Sequence, residues 1–492
     1  MDSQAVQEEL QEEPSLKEKT AKGLFWGGIS NFVQQVIGMA FGIAIARILS
    51  PDDYGLVAML AIFTAIANTV MDSGFTTALI NKKTIEHRDY NAVFWFNVFA
   101  AVGMYIILFF AAPLIAHFYK QPILTNLSRV LFLSFIIAAV GIAHNAYLLK
   151  KIMAKQRGII DMAAVFCSGA VGLILALNGF AFWGLVVQQL TQISAAVLLR
   201  WYYSPWRPTL EFDFTPLKEM FGFGVKIFVG VIIGMLSANI FSVILGRYYG
   251  KTETGYYSQG NKWASLGNSV LSGMITGVAQ SVLVEASDNI HRQANVFHKL
   301  IRFGAFVTFP AMFGLFFVGK EFVLLTIGER WIGSVVFLQL FCIWGSFSFL
   351  ESIYVYLLIS KGKSDVYVWI ITVMCSLQIL SALLMRPLGI VPMIAAYIVI
   401  RLMCFFPNHY FTNKLIGVRF LSVIKDVLPY FVVVVFSIGV TWFITKNIGN
   451  IYMLFSIRIL LVATFYIGIL WMTNSVLFKE SLGFVTGKFK SL

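Results

Sequence analysis

The sequence predicts an all-α polytopic membrane protein of about fourteen transmembrane helices, and three observations carry that prediction. Hydrophobic residues make up 58% of the 492 positions and charged residues only 12%, with a mean hydropathy of +0.79. That is far more apolar surface than a soluble core can bury. The apolar runs are about 20 residues long and continuous, without the alternation of a barrel strand, so helices rather than a barrel are indicated. The third observation is a repeat. VIGMAFGIAIARILSPDDYGLV (Val36 to Val57) has a faint second copy two hundred residues on, VILGRYYGKTETGYY (Val243 to Tyr257). In each, an apolar segment ends in an arginine (Arg47 or Arg247). An acidic residue stands six positions on (Asp53 or Glu253), a glycine eight positions on (Gly55 or Gly255), and a second apolar segment follows. Two joined helices appearing twice in one order predict a duplicated bundle.

Residues 1–22 begin acidic, turn basic and lack the apolar core of a signal peptide, so they read as a cytosolic tail. Six spans then form an N-lobe over 23–205: Gly23 to Leu49, Tyr54 to Ile80, Tyr90 to His117, Leu124 to Leu149, Asp161 to Leu177 and Phe182 to Tyr203. A cytosolic linker over 206–219 leads to a C-lobe over 220–412. Its spans are Met220 to Leu245, Tyr256 to Glu285, Leu300 to Val318, Ile332 to Ile359, Val366 to Met385 and Ile390 to Tyr410. Val427 to Thr445 and Tyr452 to Thr473 add two helices over 413–475, outside the repeat, and a cytosolic tail closes the chain at 476–492. Six helices per copy give both lobes the same orientation, related by an axis along the membrane normal.

With the N-terminus in the cytosol, 24 lysines and arginines fall in inside loops against about 9 outside, which predicts that both termini are cytosolic. The net charge of +13 is therefore a topology signal and not a nucleic-acid footprint. No loop exceeds about 20 residues, which leaves no room for a soluble catalytic domain. Walker and Rossmann fingerprints are missing, the six histidines are scattered, and the four cysteines lie in apolar segments without ligand spacing. The reading is a transporter and not an enzyme, with no cofactor and no metal.

A charge inside a span costs several kcal/mol unless it faces a partner or a wet cavity, so each is a candidate. Arg401 in mid-span twelve, Arg129, Lys226 and Lys262, with Arg47 and Arg247 at the repeat ends, make the intramembrane balance positive. That balance suits a phosphate or diphosphate, for which arginine offers a fork of donors. For Arg129 and Lys226 the alternative is snorkelling to an interface. Glu351 is the one carboxylate well inside a span; it either pairs with a cation or carries a coupling proton. Asn239, Gln34 and Gln35 sit at corresponding depths of the two halves, where amides bind sugar hydroxyls or join helices.

The stretches ARILSPDDYGLVAM (Ala46 to Met59), DSGFTTALINKK (Asp72 to Lys83), VFWFNV (Val93 to Val98), WYYSPWRPTLEF (Trp201 to Phe212), GRYYGKTETGYYSQGNKW (Gly246 to Trp263) and GERWIGSVVFLQL (Gly328 to Leu340) resemble the polysaccharide transporter family. These are Wzx-type flippases of the multidrug/oligosaccharidyl-lipid/polysaccharide (MOP) superfamily. The resemblance implies a bacterial inner-membrane protein with two six-helix lobes and two extra helices. It implies a substrate, an undecaprenyl-diphosphate-linked oligosaccharide of O-antigen, capsule or exopolysaccharide, whose diphosphate binds a cationic central cavity. Membrane lipids and polysaccharide polymerase or export proteins are the implied partners. One departure stands out: where relatives often carry an acidic residue two places after Asn239, this chain has Phe241. Three alternatives stay open on the sequence: a multidrug/cation antiporter of the same fold, a polytopic glycan polymerase or ligase, and a scaffold of the same pathway.

Overall fold

The computed structural model describes residues 16–72, 79, 82, 85–213, 215, 234–235, 239–473 and 477–479. Among them there is no strand, and eleven stretches are long and apolar enough to cross a membrane. The chain divides into two compact units, one of residues 1–49 and 63–232, the other of 50–62 and 233–492.

The first unit contains α1 (Leu16–Ile48), α4 (His87–Tyr119), α5 (Leu124–Leu131), α6 (Leu133–Lys150), α7 (Ala154–Leu177) and α8 (Ala181–Tyr203). Expected span four is thus two helices, broken at Phe132, whose backbone still bonds back to Ser128 (2.8 Å). α1 lies close along α7 because glycine removes the side chains between them: a Cβ on Gly169 would sit 2.3 Å from Phe41, and one on Gly158 2.7 Å from Ser30. Beyond α8 the chain runs extended and is strapped across the start of α4. Asn91 donates to the Glu211 carbonyl (2.6 Å) and accepts from the Thr209 N–H (3.0 Å), and the Trp95 indole donates to the Thr209 carbonyl (2.7 Å). Tyr90, Val93 and Phe94 bury themselves with Ala143, Ala146 and Trp206 in the core beneath that strap. Two of the stretches that carry the family resemblance, Val93 to Val98 and Trp201 to Phe212, are therefore one structural joint.

The second unit contains α2 (Pro51–Met59), a helical stretch over 239–248, α9 (Lys251–Glu285), α10 (Ile290–Phe317), α11 (Gly319–Thr326), α12 (Ser334–Ser360), α13 (Ser364–Met385), α14 (Ile390–Met403), α15 (Phe405–Ile416), α16 (Phe420–Thr445) and α17 (Ile451–Met472). α3 (Ala61–Asp72) spans the division between the units. Expected span eight is a helix of 35 residues, too polar to count among the apolar stretches. Expected span twelve is interrupted at Cys404, between α14 and α15. Phe297, Ile301 and Phe309 of α10, Phe349 and Tyr354 of α12, Tyr430 of α16 and Tyr466 of α17 share one core, so the last two helices are integral to this unit. They are pinned by a buried ion pair, Arg458 to Glu321 at 2.8 Å. Removing one member of a buried pair costs about 3–5 kcal/mol. Arg458→Leu is expected to lower the thermal midpoint of the purified protein by several degrees, read by tryptophan fluorescence; an unchanged midpoint would contradict this role.

The two copies of the repeated motif meet inside this unit. Ser50 and Asp53 form a reciprocal capping box around Pro51, starting α2 (Ser50 N–H to Asp53 Oδ2, 2.9 Å). Asp52 is left to reach across: its carboxylate meets the Lys251 ammonium at 2.9 Å and accepts the Thr252 hydroxyl at 2.5 Å. Burial pushes the Asp52 pKa up, but the Thr252 hydroxyl and Lys251 outweigh it and hold the carboxyl below its ordinary range. A depressed pKa gives stability that is present above the unfolded value and lost as pH falls through the folded one, so the contact persists into mild acid. Three residues further along, the helices touch backbone to backbone. A Cβ on Gly55 would lie 1.8 Å from the Lys251 carbonyl oxygen, and one on Gly255 1.9 Å from that of Pro51. The contact is nearly self-symmetric, residue for residue at an offset of two hundred. A carbonyl cannot swing aside as a side chain can. Gly55→Val and Gly255→Val are each expected to destabilise by about 1–3 kcal/mol or more, seen as a lower midpoint and a broadened elution profile.

Candidate functional site

Arg401 occupies the last turn of α14, just before the interruption at Cys404. Its guanidinium lies 4.0 Å above the Trp344 ring, donates to the Tyr397 hydroxyl at 3.2 Å and stands 3.6 Å from Glu351 Oε2. An aromatic face attracts a cation without occupying its N–H groups, an attraction worth about 0.5–2 kcal/mol for each ring. The charge is thus held in place while part of its fork stays open. Arg401 is 25% exposed and Glu351 36%. On one side of the pair lies a cavity of about 500 Å³ between α12, α14, α15 and α16, walled by Trp344, Phe347, Phe405, Phe406 and Phe431. On the other side is a small cavity of about 80 Å³ lined by Gly234, Tyr367, Gln378 and Asn408. Phe241, two places after Asn239, is buried against the ring of Tyr397 at 4.4 Å. In this chain an apolar ring steadies the tyrosine that steadies Arg401.

Of the other expected site residues, Arg47, Arg129, Gln34 and Gln35 belong to the first unit and Asn239, Arg247 and Lys262 to the second. Arg129 lies on the short α5, its guanidinium 4.3 Å over the Phe109 ring and bonded to the Phe109 carbonyl at 3.4 Å, an interhelical clasp in the first unit. Arg47 is exposed at the end of α1 and Arg247 half-buried at the end of the 239–248 helix. Lys262 is exposed on α9 beside its neighbour Trp263. Lys226 lies outside the described residues. Asn239 turns its amide back to the Met235 carbonyl (2.9 Å), as a helix-packing amide does. Gln35 is half-buried on α1, and Gln34 lines a cavity of about 270 Å³ in the first unit. Within the second unit the structure brings Arg401 and Glu351 together. It also adds residues that were not singled out. Asp161, Gln192 and Arg200 line the cavity with Gln34, and the Asp161 carboxylate is 3.9 Å from Arg200. Asp161 and Arg200 each stand near a predicted span end, where a charge reads as interfacial. The usable signal was the repeat itself, since Arg200 lies two hundred and one residues before Arg401.

Comparison with known proteins places this geometry. The family described as polysaccharide biosynthesis protein matches residues 44–336. The lipopolysaccharide biosynthesis protein WzxC of Escherichia coli is 26% identical over 72% of this chain and 72% of its own length. The teichuronic acid biosynthesis protein TuaB of Bacillus subtilis is 25% identical over 72% of this chain and 73% of its own. Among solved structures, the lipid II flippase MurJ in an inward closed conformation superposes with a TM-score of 0.77 at 12% identity, covering 93% of this chain and 99% of MurJ. An inward-facing multidrug resistance MATE transporter gives 0.62 at 13% identity, over 78% and 98% of the two chains. The fold is that of MurJ and the MATE transporter, and the chain belongs to the polysaccharide biosynthesis protein family of multi-pass membrane proteins.

Proposed function

We propose that the protein flips an undecaprenyl-diphosphate-linked oligosaccharide, a repeat unit of O-antigen, capsule or exopolysaccharide, across the bacterial inner membrane by alternating access. One observation carries the reading: Arg401, fixed between Trp344 and Tyr397, stands at the rim of a large aromatic cavity. A fixed guanidinium beside apolar room matches a diphosphate joined to a prenyl chain, with Glu351 as the counter-ion that the diphosphate replaces. The names of WzxC and TuaB, a lipopolysaccharide and a teichuronic acid biosynthesis protein, support a bacterial surface glycan as cargo. In this reading fourteen helices form two six-helix lobes and an added pair, both termini are cytosolic, and polymerase or export proteins receive the product. The motif contact between α2 and α9 then faces outward and must part for release. A diphosphate moving from a negative inside to a positive outside gains about 2.3 kcal/mol per charge per 100 mV, so the membrane potential biases export. The test is reconstitution: the protein in sealed vesicles is expected to move a labelled undecaprenyl-diphosphate oligosaccharide between leaflets, faster with the potential imposed. A rate equal to protein-free vesicles would overturn the proposal.

A further inference from the structure

The second polar cavity lies in the first unit, and its position in the bundle repeats that of the Arg401 pair. It is bounded by α1, α6, α7 and α8, the first, fourth, fifth and sixth spans; the small cavity beside Arg401 is bounded by spans seven, ten, eleven and twelve. Gln34 and Gly234 hold matching places at an offset of two hundred residues, and Arg200 and Arg401 at two hundred and one. Each cavity carries an arginine on its last helix facing a carboxylate on another helix, Asp161 at 3.9 Å from Arg200 and Glu351 at 3.6 Å from Arg401. Their surroundings differ completely. Arg401 sits among aromatic rings, whereas Arg200 shares its cavity with the amides of Gln34 and Gln192 and with the small side chains of Ala164 and Ala196.

We infer that the Arg200 cavity is a monosaccharide subsite that takes one neutral hexose of the glycan, an assignment that rests on the proposed flippase reading. The lining argues for a neutral ligand: the Asp161–Arg200 pair is joined here by the two amides of Gln34 and Gln192 and by small and aliphatic side chains, in place of the aromatic rings around Arg401. Spacing argues for hydroxyls. At 3.9 Å the pair is longer than a hydrogen bond, wide enough for a hydroxyl to donate to Asp161 while accepting from Arg200. The two amides each offer a donor and an acceptor, the pairing that vicinal hydroxyls use. Size argues for a single ring, since about 270 Å³ falls just below the roughly 300–1,000 Å³ of sites for drug-sized ligands. Asp161 is 39% exposed and Arg200 25%, so the pair is not sealed inside the bundle.

The test uses the full-length protein in nanodiscs and saturation-transfer NMR with four free probes at millimolar concentration: glucose, galactose, glucuronate and inorganic pyrophosphate. A neutral hexose is expected to show saturation transfer, and the signal is expected to fall at least ten-fold in Gln192→Leu and in Ala196→Phe. Ala196→Phe fills the cavity while leaving every polar group in place; both variants are to elute as the parent does. Absence of any hexose signal, or a signal indifferent to Ala196→Phe, would overturn the inference. So would binding of glucuronate or pyrophosphate alone with loss in Arg200→Gln, which would make this an anion site. Free-sugar binding needs no translocation, so a protein that binds hexose but moves no lipid would sink the flippase reading and leave this cavity's chemistry standing.

Discussion

Locking α2 to α9 is expected to abolish translocation. Asp52 and Thr252 touch side chain to side chain at 2.5 Å, on helices whose backbones meet at Gly55 and Gly255. Paired cysteines there, Asp52→Cys with Thr252→Cys, are placed for a short thiol cross-link. Of the native cysteines Cys167 is exposed while Cys342, Cys375 and Cys404 are buried, so a Cys167→Ser background suffices. If alternating access requires the two motif copies to part, the cross-linked protein transports at least ten-fold more slowly, and reduction restores the rate. Each single cysteine variant treated with the same oxidant serves as the control. A cross-linked protein that transports normally would show that the two helices never separate, and the motif contact would be purely architectural.

The second large effect concerns Arg401. A hydrogen bond to a charged group contributes about 1.5–3 kcal/mol, which is roughly ten- to a hundred-fold in affinity. Arg401→Gln is therefore expected to weaken binding of farnesyl diphosphate to the purified protein by that factor. Glu351→Gln removes the competing carboxylate and is expected to hold or tighten binding. Parallel losses in both variants would instead mean that the pair is a structural clasp like Arg458 and Glu321.

The sequence made the apolar spans legible because membrane helices need long continuous hydrophobic runs. It also disclosed the repeated turn. What stayed hidden has physical causes. Phe132 interrupts a predicted span with no proline or glycine nearby, whereas the break at Cys404 was legible in Pro407, which has no N–H for the Met403 carbonyl. That Asp53 caps α2 while Asp52 reaches Lys251 and Thr252 is a tertiary choice between adjacent like residues, two hundred positions from the partner. Arg401 and Glu351 stood out because a charge in mid-span is expensive. Arg200 and Asp161 did not, since their positions near span ends look ordinary until helix packing brings them to one cavity. Arg129, read as either a cavity cation or a snorkelling side chain, meets the ring and carbonyl of Phe109, a partner twenty residues away that no local pattern marks.

The measurement that bears most directly on the central claim is the initial rate at which sealed vesicles move a labelled undecaprenyl-diphosphate oligosaccharide, compared between the parent and Arg401→Gln at matched protein density. The parent is expected to transport well above protein-free vesicles and Arg401→Gln at least ten-fold more slowly, with its thermal midpoint held within a few degrees. Equal rates in the two proteins would contradict a diphosphate held at Arg401.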